Sequence, residues 1–468
     1  VTIETAVGIL LLLGGPLVVA GLLFVMPAAR RPLLGLLAFS TCHIQRPWFK
    51  DLFFVPYRGV DRGFGVTIPD LLFLGLGIYL VISRSYVRGW RPPNRWPYRA
   101  LVAVAAIGLL PALHPSYGMF TLWKLVRAGV LYTVVAHVLR SRRDVRALIL
   151  GLAAAVAFQG ATVLLDKYVT GRVVYRALGS FPHPNSLAGY VNMLLPVLLA
   201  LLLLRRDGWR GWLGTTALAL GAVAVLFTRS RMGLLLMIGA LGITGLLALG
   251  RGFSPRRLVI ASAALLVATV VGIFAAPSVI RRFESAPKES AETRAHFNAA
   301  AKSMANNRIF GVGLNGFCWA ITNVDEYYWL VYEDKREVDD PEEFRASHVG
   351  SLRLGTVHST YYLFASETGW VGMGFFVIWI ARNLWIVCRA AVRARDPFDK
   401  SVMQGIAVGF VTLHIQGFVE WVLPQVQVLF LFMILSGTVA ALDRGLVSPA
   451  ARRACSHRRR LEPALATN

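Results

Sequence analysis

Apolar residues fall along this chain in long uninterrupted runs. Stretches free of Asp, Glu, Lys and Arg cover 5–29, 147–165, 185–204, 211–228, 232–250, 258–280 and 402–419, each near the ~20 residues a helix needs to cross the hydrocarbon of a bilayer. Further candidates carrying one or two charges run over 64–83, 119–139, 354–381 and 421–442, and an uncharged run from 100 leads up to His114-Pro115. The segment 32–45, "PLLGLLAFSTCHIQ", is short and suits a re-entrant or interfacial piece better than a full crossing. The first run is too long and too plainly apolar for a cleaved signal and is followed by many others, so it predicts a permanent helix. The pattern as a whole predicts an all-α polytopic membrane protein of about 12 transmembrane helices.

The polar segments between the runs alternate in character. Those at 84–99, 140–146, 205–210, 251–257, 389–400 and the tail at 452–462 are basic, as cytoplasmic loops are. The intervening segments, 114–120, 167–184, 229–231 and 281–357, then face outward. With 32–45 re-entrant, nine crossings precede the long loop and three follow it, and both termini lie inside; if 32–45 crosses, the N-terminus moves outside. The expected organisation is N-terminal membrane helices over 1–280, one large periplasmic loop domain over 281–357, C-terminal membrane helices over 358–442 and a basic cytoplasmic tail over 443–468.

Composition agrees with the pattern. Of 468 residues, 56% are hydrophobic and 16% charged, and the mean hydropathy is +0.57. A net charge of +24 would suggest nucleic acid in a soluble protein. Here the positive-inside bias and attraction to anionic lipid heads account for most of it, so membrane lipids are expected partners and nucleic acid is not. Cys42, Cys318, Cys388 and Cys455 are scattered, without metal spacing or a disulfide framework. No Asp/His cluster has metal spacing either, so neither a metal nor a cofactor is expected.

In the long outward segment, Ser290, Thr293, Arg294, Phe297, Ala300, Ala301 and Met304 mark an amphipathic helix ending at Asn306-Asn307. "GVGLNG" at 311–316, which contains Asn315, literally matches a dinucleotide-binding fingerprint. It lacks the flanking strand and βαβ unit and reads as a sharply turning loop. Residues 325–343 interleave carboxylates with Tyr327, Tyr328, Trp329 and Tyr332, which fits a solvated loop or a sugar-facing surface.

Candidate chemistry lies where cations meet apolar runs. "LFTRSRMGLLL" puts Arg229 and Arg231 at the outer end of a helical hairpin, where ionisable groups mark function unless they snorkel to the interface. For Arg229 both readings stay open; Arg231, beside Ser230 and Gly233, favours a ligand. Lys124, Arg127, Lys167, Arg172, Arg176 and Arg294 map to the same side. Guanidinium pairs with phosphate in bidentate geometry, so this cluster points to an anionic ligand bearing phosphate. In "FPHPNSLAGY", Asn185 or Ser186 is placed to cap the helix that runs to 204, with or without an anion at its N–H groups. His183 reads as structural.

His358 opens the helix that contains Tyr362 and Glu367, at the outer surface. Tyr362 lies one turn below it; Glu367 is about two and a half turns away and is not a natural partner, fitting instead a helix-packing group or one supporting the site from behind. A lone interfacial histidine is ordinarily structural, yet imidazole is the natural general base for a hydroxyl at neutral pH.

These residues resemble the O-antigen ligases, within the wider group that includes O-antigen polymerases and protein-directed oligosaccharyltransferases. The resemblance rests on "TRSRMG" (228–233), on "GVGLNGF" (311–317), and on "HSTYYLFASETGWVG" (358–372), which looks like the family's His-Asn…Glu-x-Gly-x-x-Gly segment. "SFPHPNSLAGY" is similar to a Pro-Asn stretch in many members. Ser359 stands where many members have Asn. The resemblance implies a multi-spanning, GT-C-like glycosyltransferase of the bacterial inner membrane with its active site facing the periplasm. It implies undecaprenyl-pyrophosphate-linked O-antigen as donor and lipid A-core oligosaccharide as acceptor. His358 would be the essential histidine, with Arg231, Arg294 and Arg229 on the donor pyrophosphate. Lys124, Arg127, Arg176, Asn185, Asn315, Tyr362 and Glu367 are further candidates. A polymerase or a protein O-oligosaccharyltransferase using the same donor is the nearest alternative. A lipid-linked glycan transporter is a different class, disfavoured because no internal repeat is evident and the polar groups collect at one face.

Overall fold

The computed structural model describes residues 3–43, 49–55, 59–172, 175–204, 208–250, 288–331 and 355–446, with Val259 and Ser262 as isolated positions. The predicted crossing at 258–280, the loop at 251–257, the acidic stretch beyond residue 331 and the tail at 452–462 lie outside the described residues. Those described are mostly helical, and eight helices among them are long and apolar enough to cross a membrane. This is the construction of an all-α polytopic membrane protein. One small departure is a hairpin of β1 (Phe49–Leu52) and β2 (Phe64–Thr67), antiparallel with Phe49 opposite Thr67 and Leu52 opposite Phe64. The helix predicted from residue 64 therefore starts only at Ile68, where Thr67 and Asp70 close a reciprocal capping box.

Side-chain contacts fix the direction of each helix. In α1 (Ile3–Val25) and α3 (Ile68–Ile82), Gly15 lies beside Leu71 and the Phe24 ring meets Tyr79 at 5.1 Å, so the two run parallel. Helix α5 (Pro115–Val138) runs the same way: the Trp123 indole donates to the carbonyl of Gly65, and Arg127 reaches Asp70. Helix α2 (Arg30–Ser40) runs opposite to α1 along α6 (Arg142–Tyr168), from Arg30 beside Asp144 to Cys42, whose carbonyl accepts from Gln159. The direction of α1 is thus the one that a crossing at 32–45 requires, rather than a re-entrant piece, with the start of α1 at the end opposite Arg30.

The two ends of the bundle differ in chemistry. At one end Arg30 and Arg31 meet Asp144 at 2.9 and 3.4 Å, Arg142 meets Asp399 at 2.8 Å and Asp396 at 3.3 Å, and Arg389 meets Asp443 at 3.0 Å. Arg444 lies over the Trp90 ring there, so three of the predicted basic loops share this end. The other end gathers the segments near residues 114, 176, 228, 312, 358 and 420. Helices α7 (Pro184–Leu204) and α15 (Val426–Asp443), both largely apolar, are the most enclosed of the eight membrane-length helices. Against α7 packs α14 (Pro397–Gln416), where Gly409 lets the backbones approach until its Cα faces the Met193 carbonyl.

Candidate active site

The starts of three helices meet at this second end: α7 at Pro184, α9 (Arg231–Leu249) and α13 (Thr360–Arg393). Ser359 is the N-cap of α13, its hydroxyl accepting from the Tyr362 N–H at 3.4 Å. Ser is a strong N-cap, as Asn would be, so this serine anchors the helix start. His358 precedes the cap with its side chain 35% exposed. The turn after α14 is clamped onto this helix start, because Thr360 donates through its N–H to Gly417 at 2.8 Å and through its hydroxyl to the Glu420 carbonyl at 3.0 Å.

That clamp brings in Glu420, which the sequence reading passed over. The residue is only 5% exposed. Its Oε2 lies 3.4 Å from His358 Nδ1, and its Oε1 lies 3.3 Å from an Arg294 terminal nitrogen and accepts from the Asn185 amide. Arg294 reaches in from α10 (Lys288–Asn307), whose Phe297, Ala300, Ala301 and Met304 pack the small core of the segment after the bundle, while Arg294 itself stays 44% exposed.

Asn185 continues the network. Its Oδ1 accepts from Arg176 at 2.7 Å, and Arg176 Nε donates to the Thr228 carbonyl at 2.9 Å. Thr228 ends α8 (Gly208–Thr228). The next residue, Arg229, turns the chain in the left-handed region at φ 49°, is exposed and lies 5.1 Å over the Tyr175 ring. Ser230 caps α9 by accepting from the Gly233 N–H at 3.2 Å, which fixes Arg231 in the first turn, half-buried.

The expectation that Asn185 or Ser186 caps α7 is corrected. Both sit inside the helix. His183 is the cap, its carbonyl accepting from Ser186 N–H and its Nδ1 from Asn185 N–H at 3.3 Å. Proline at the next position fits, since a first-turn residue needs no N–H partner. His183 is half-buried. Burial pushes its imidazole below the ordinary histidine range against the pull of Glu420, and nearby Arg176, His358 and Arg294 push the same way as burial.

The other candidates form a second group. Lys124 pairs with Asp61 at 2.6 Å, and the Asn315 amide donates to the carbonyls of Asp61 at 2.7 Å and Tyr117 at 3.1 Å. Glu367 accepts from the backbone N–H groups of Asn315 and Phe317, so it ties the glycine loop to α13. Arg127 is buried against Asp70 at 2.5 Å. The cations Lys124 and Arg127 are thus matched by carboxylates within the bundle, away from His358. Tyr362 packs against the small core beneath His358.

The site therefore joins His358, Arg294, Asn185 and Arg176 through Glu420, and links them through Thr228 to the turn carrying Arg229 and Arg231. Guanidinium groups and helix N-termini favour negative charge, and an imidazole can take a proton. Among the described residues no three His, Cys, Asp or Glu side chains gather as a metal site would require.

A multi-pass membrane protein with arginines, histidines and a buried carboxylate clustered at one end is the class these observations define. Residues 216–377 match the family model of the O-antigen ligases, so the resemblance carried by the motifs holds for the stretch that includes Arg229, Arg231, Arg294, His358 and Glu367. Arg176, Asn185 and Glu420 lie outside the matched residues. No curated protein matches the chain.

Proposed function

We propose that this protein transfers an O-antigen glycan from undecaprenyl pyrophosphate to a terminal sugar hydroxyl of lipid A-core, as a multi-spanning glycosyltransferase of the GT-C-like kind. The carrying observation is the meeting of His358, Arg294 and Asn185 on the buried carboxylate of Glu420, with Arg176 linking Asn185 to the Thr228 carbonyl beside Arg229 and Arg231; of these, Arg229, Arg231, Arg294 and His358 lie in the stretch that matches the ligase family. The basic loops at the opposite end support a cytoplasmic side there, and hence a periplasmic site in the bacterial inner membrane.

Pyrophosphate is already a good leaving group, so the protein must neutralise its developing charge and aim the acceptor. Arg231 and Arg294, with Arg229, hold the phosphates. The acceptor oxygen forms its bond to the anomeric carbon as the carbon–oxygen bond to phosphate breaks and its electron pair leaves with the pyrophosphate. The hydroxyl proton passes to Nε2 of His358, and direct displacement inverts the anomeric centre. Charge neutralisation by arginine leaves no step that needs a divalent ion, so chelator leaves transfer by purified protein unchanged; loss with chelator and recovery with one metal contradicts the scheme.

Reconstitution with a lipid-linked oligosaccharide and three acceptors tests the reading: lipid A-core, a second lipid-linked glycan and a protein. Sugar gained by lipid A-core supports a ligase, sugar on either other acceptor makes the protein a polymerase or a protein oligosaccharyltransferase, and none on any acceptor points to transport.

A further inference from the structure

Glu420 stands alone between two charge-free runs of sequence, 402–419 and, after Trp421, the apolar start of α15, yet it is the residue in which the site's side chains meet. Its two carboxylate oxygens divide the work. One faces His358; the other is shared by Arg294 and Asn185. Among the described residues, Glu420 from the turn after α14 faces His358, Arg294 from α10 shares that carboxylate, and His183 from the segment before α7 lies near His358, Glu420, Arg294 and Arg176.

The contacts of Glu420 are unequal in kind. Asn185 is buried and held by Arg176 and by Gln416, whose amide donates to the Asn185 carbonyl at 2.8 Å. Arg294 is 44% exposed and reaches a single oxygen at 3.3 Å. A guanidinium offered a phosphate gains two parallel, charge-assisted bonds in place of one long one. The arginine is the partner that can leave, and the asparagine keeps the carboxylate where it is.

We propose that Glu420 is a positioning residue that holds His358 through Nδ1, and that the phosphates of the donor take Arg294 away from Glu420 as they bind, so that donor binding leaves the carboxylate to act on the histidine alone. The proposal rests on the reading of His358 as base and Arg294 as phosphate ligand. A carboxylate at Nδ1 selects the tautomer whose lone pair is on Nε2, aims that atom away from the turn, and stabilises the imidazolium formed when the proton arrives. While Arg294 is shared with Glu420, part of that stabilisation is cancelled by the guanidinium charge. The base is thus at full strength only when the pyrophosphate it serves is present.

The replacement Glu420→Gln keeps the shape and removes the charge, and it splits two quantities that a scaffolding role would move together. Donor binding, measured with undecaprenyl pyrophosphate in nanodiscs, is at least as tight as in the wild type, because Arg294 no longer has an anionic competitor. Transfer at saturating donor falls by at least roughly 10-fold, the lower end for carboxylates that orient metal-bound histidines and well short of the loss seen in a serine-protease triad. If Glu420→Gln fails to fold, Glu420→Asp, which keeps the charge but withdraws it from His358, carries the same split with smaller size. Donor binding and transfer at saturating donor that fall together, or transfer that is unchanged, would make Glu420 a structural clamp and overturn the proposal. Full activity in His358→Ala would instead sink the reading beneath it, so the two failures are distinguishable.

Discussion

Gly369 and Gly311 press backbone against backbone. Gly369 interrupts α13 at φ 68° and ψ 179°, two residues after Glu367, and a Cβ there would overlap the carbonyl of Ile309. Gly311, at φ 65°, would overlap the carbonyl of Ser366, while the next residue, Val312, donates to that same carbonyl at 2.8 Å. The glycine loop and the Glu-Thr-Gly stretch are therefore two halves of one joint beneath His358. Replacing either glycine by alanine forces a side chain into a left-handed conformation and a filled space, and costs roughly 1–3 kcal/mol. Thermal unfolding in detergent checks this, and the double replacement costs less than the sum, because both break one contact.

Arg127 serves the bundle rather than a ligand. It and Asp70 are buried as a pair, and removing one partner of such a pair leaves an uncompensated charge at a cost of about 3–5 kcal/mol. Arg127→Ala is expected to lower the unfolding temperature sharply while the folded fraction binds undecaprenyl pyrophosphate normally. Weaker binding at unchanged stability would return Arg127 to the site.

Arg231→Ala has the opposite signature. Arg231 opens the first turn of α9 after the Ser230 cap, and loss of this phosphate ligand is expected chiefly to weaken donor engagement. Protection of the protein from proteolysis by polyprenyl pyrophosphate reports this, and undiminished protection makes Arg231 an interfacial arginine only.

His183 makes the start of α7 sensitive to acid. Its folded-state value lies below the ordinary 6.5 because of burial, and its Nδ1 must stay unprotonated to accept the Asn185 N–H. Between pH 6.5 and the lower folded value, the opened segment binds a proton that the closed one refuses. Stability of the helix start is complete above 6.5 and declines as pH falls through that window. Hydrogen exchange at Asn185, corrected for intrinsic rate, speeds up between pH 7.5 and 5.5. His183→Asn, a non-titrating cap, flattens the change; equal protection at both pH values refutes the capping role.

Local signals carried much of this into the sequence. Long apolar runs mark helices whatever their partners, and Phe297, Ala300, Ala301 and Met304 recur at helical spacing. Pairings across the chain were not legible. Glu420 lies 62 residues from His358 and 126 from Arg294, and no spacing rule connects them. A usable cue existed nonetheless: a single carboxylate between apolar runs calls for the same question as Arg229 and Arg231. Asn and Ser have the stronger cap preference, but Pro184 starts the helix at least two residues before either could cap it and leaves the role to His183. Lys124 and Arg127 looked like ligand groups because their carboxylate partners, Asp61 and Asp70, lie more than 50 residues away.

Transfer by His358→Ala, measured in reconstituted vesicles at saturating lipid-linked donor and lipid A-core, is the most direct test of the site. Transfer is expected to fall to background while folding and binding of undecaprenyl pyrophosphate are retained, because the imidazole takes the proton and the arginines hold the phosphates. Transfer at the wild-type rate would contradict this role of the imidazole.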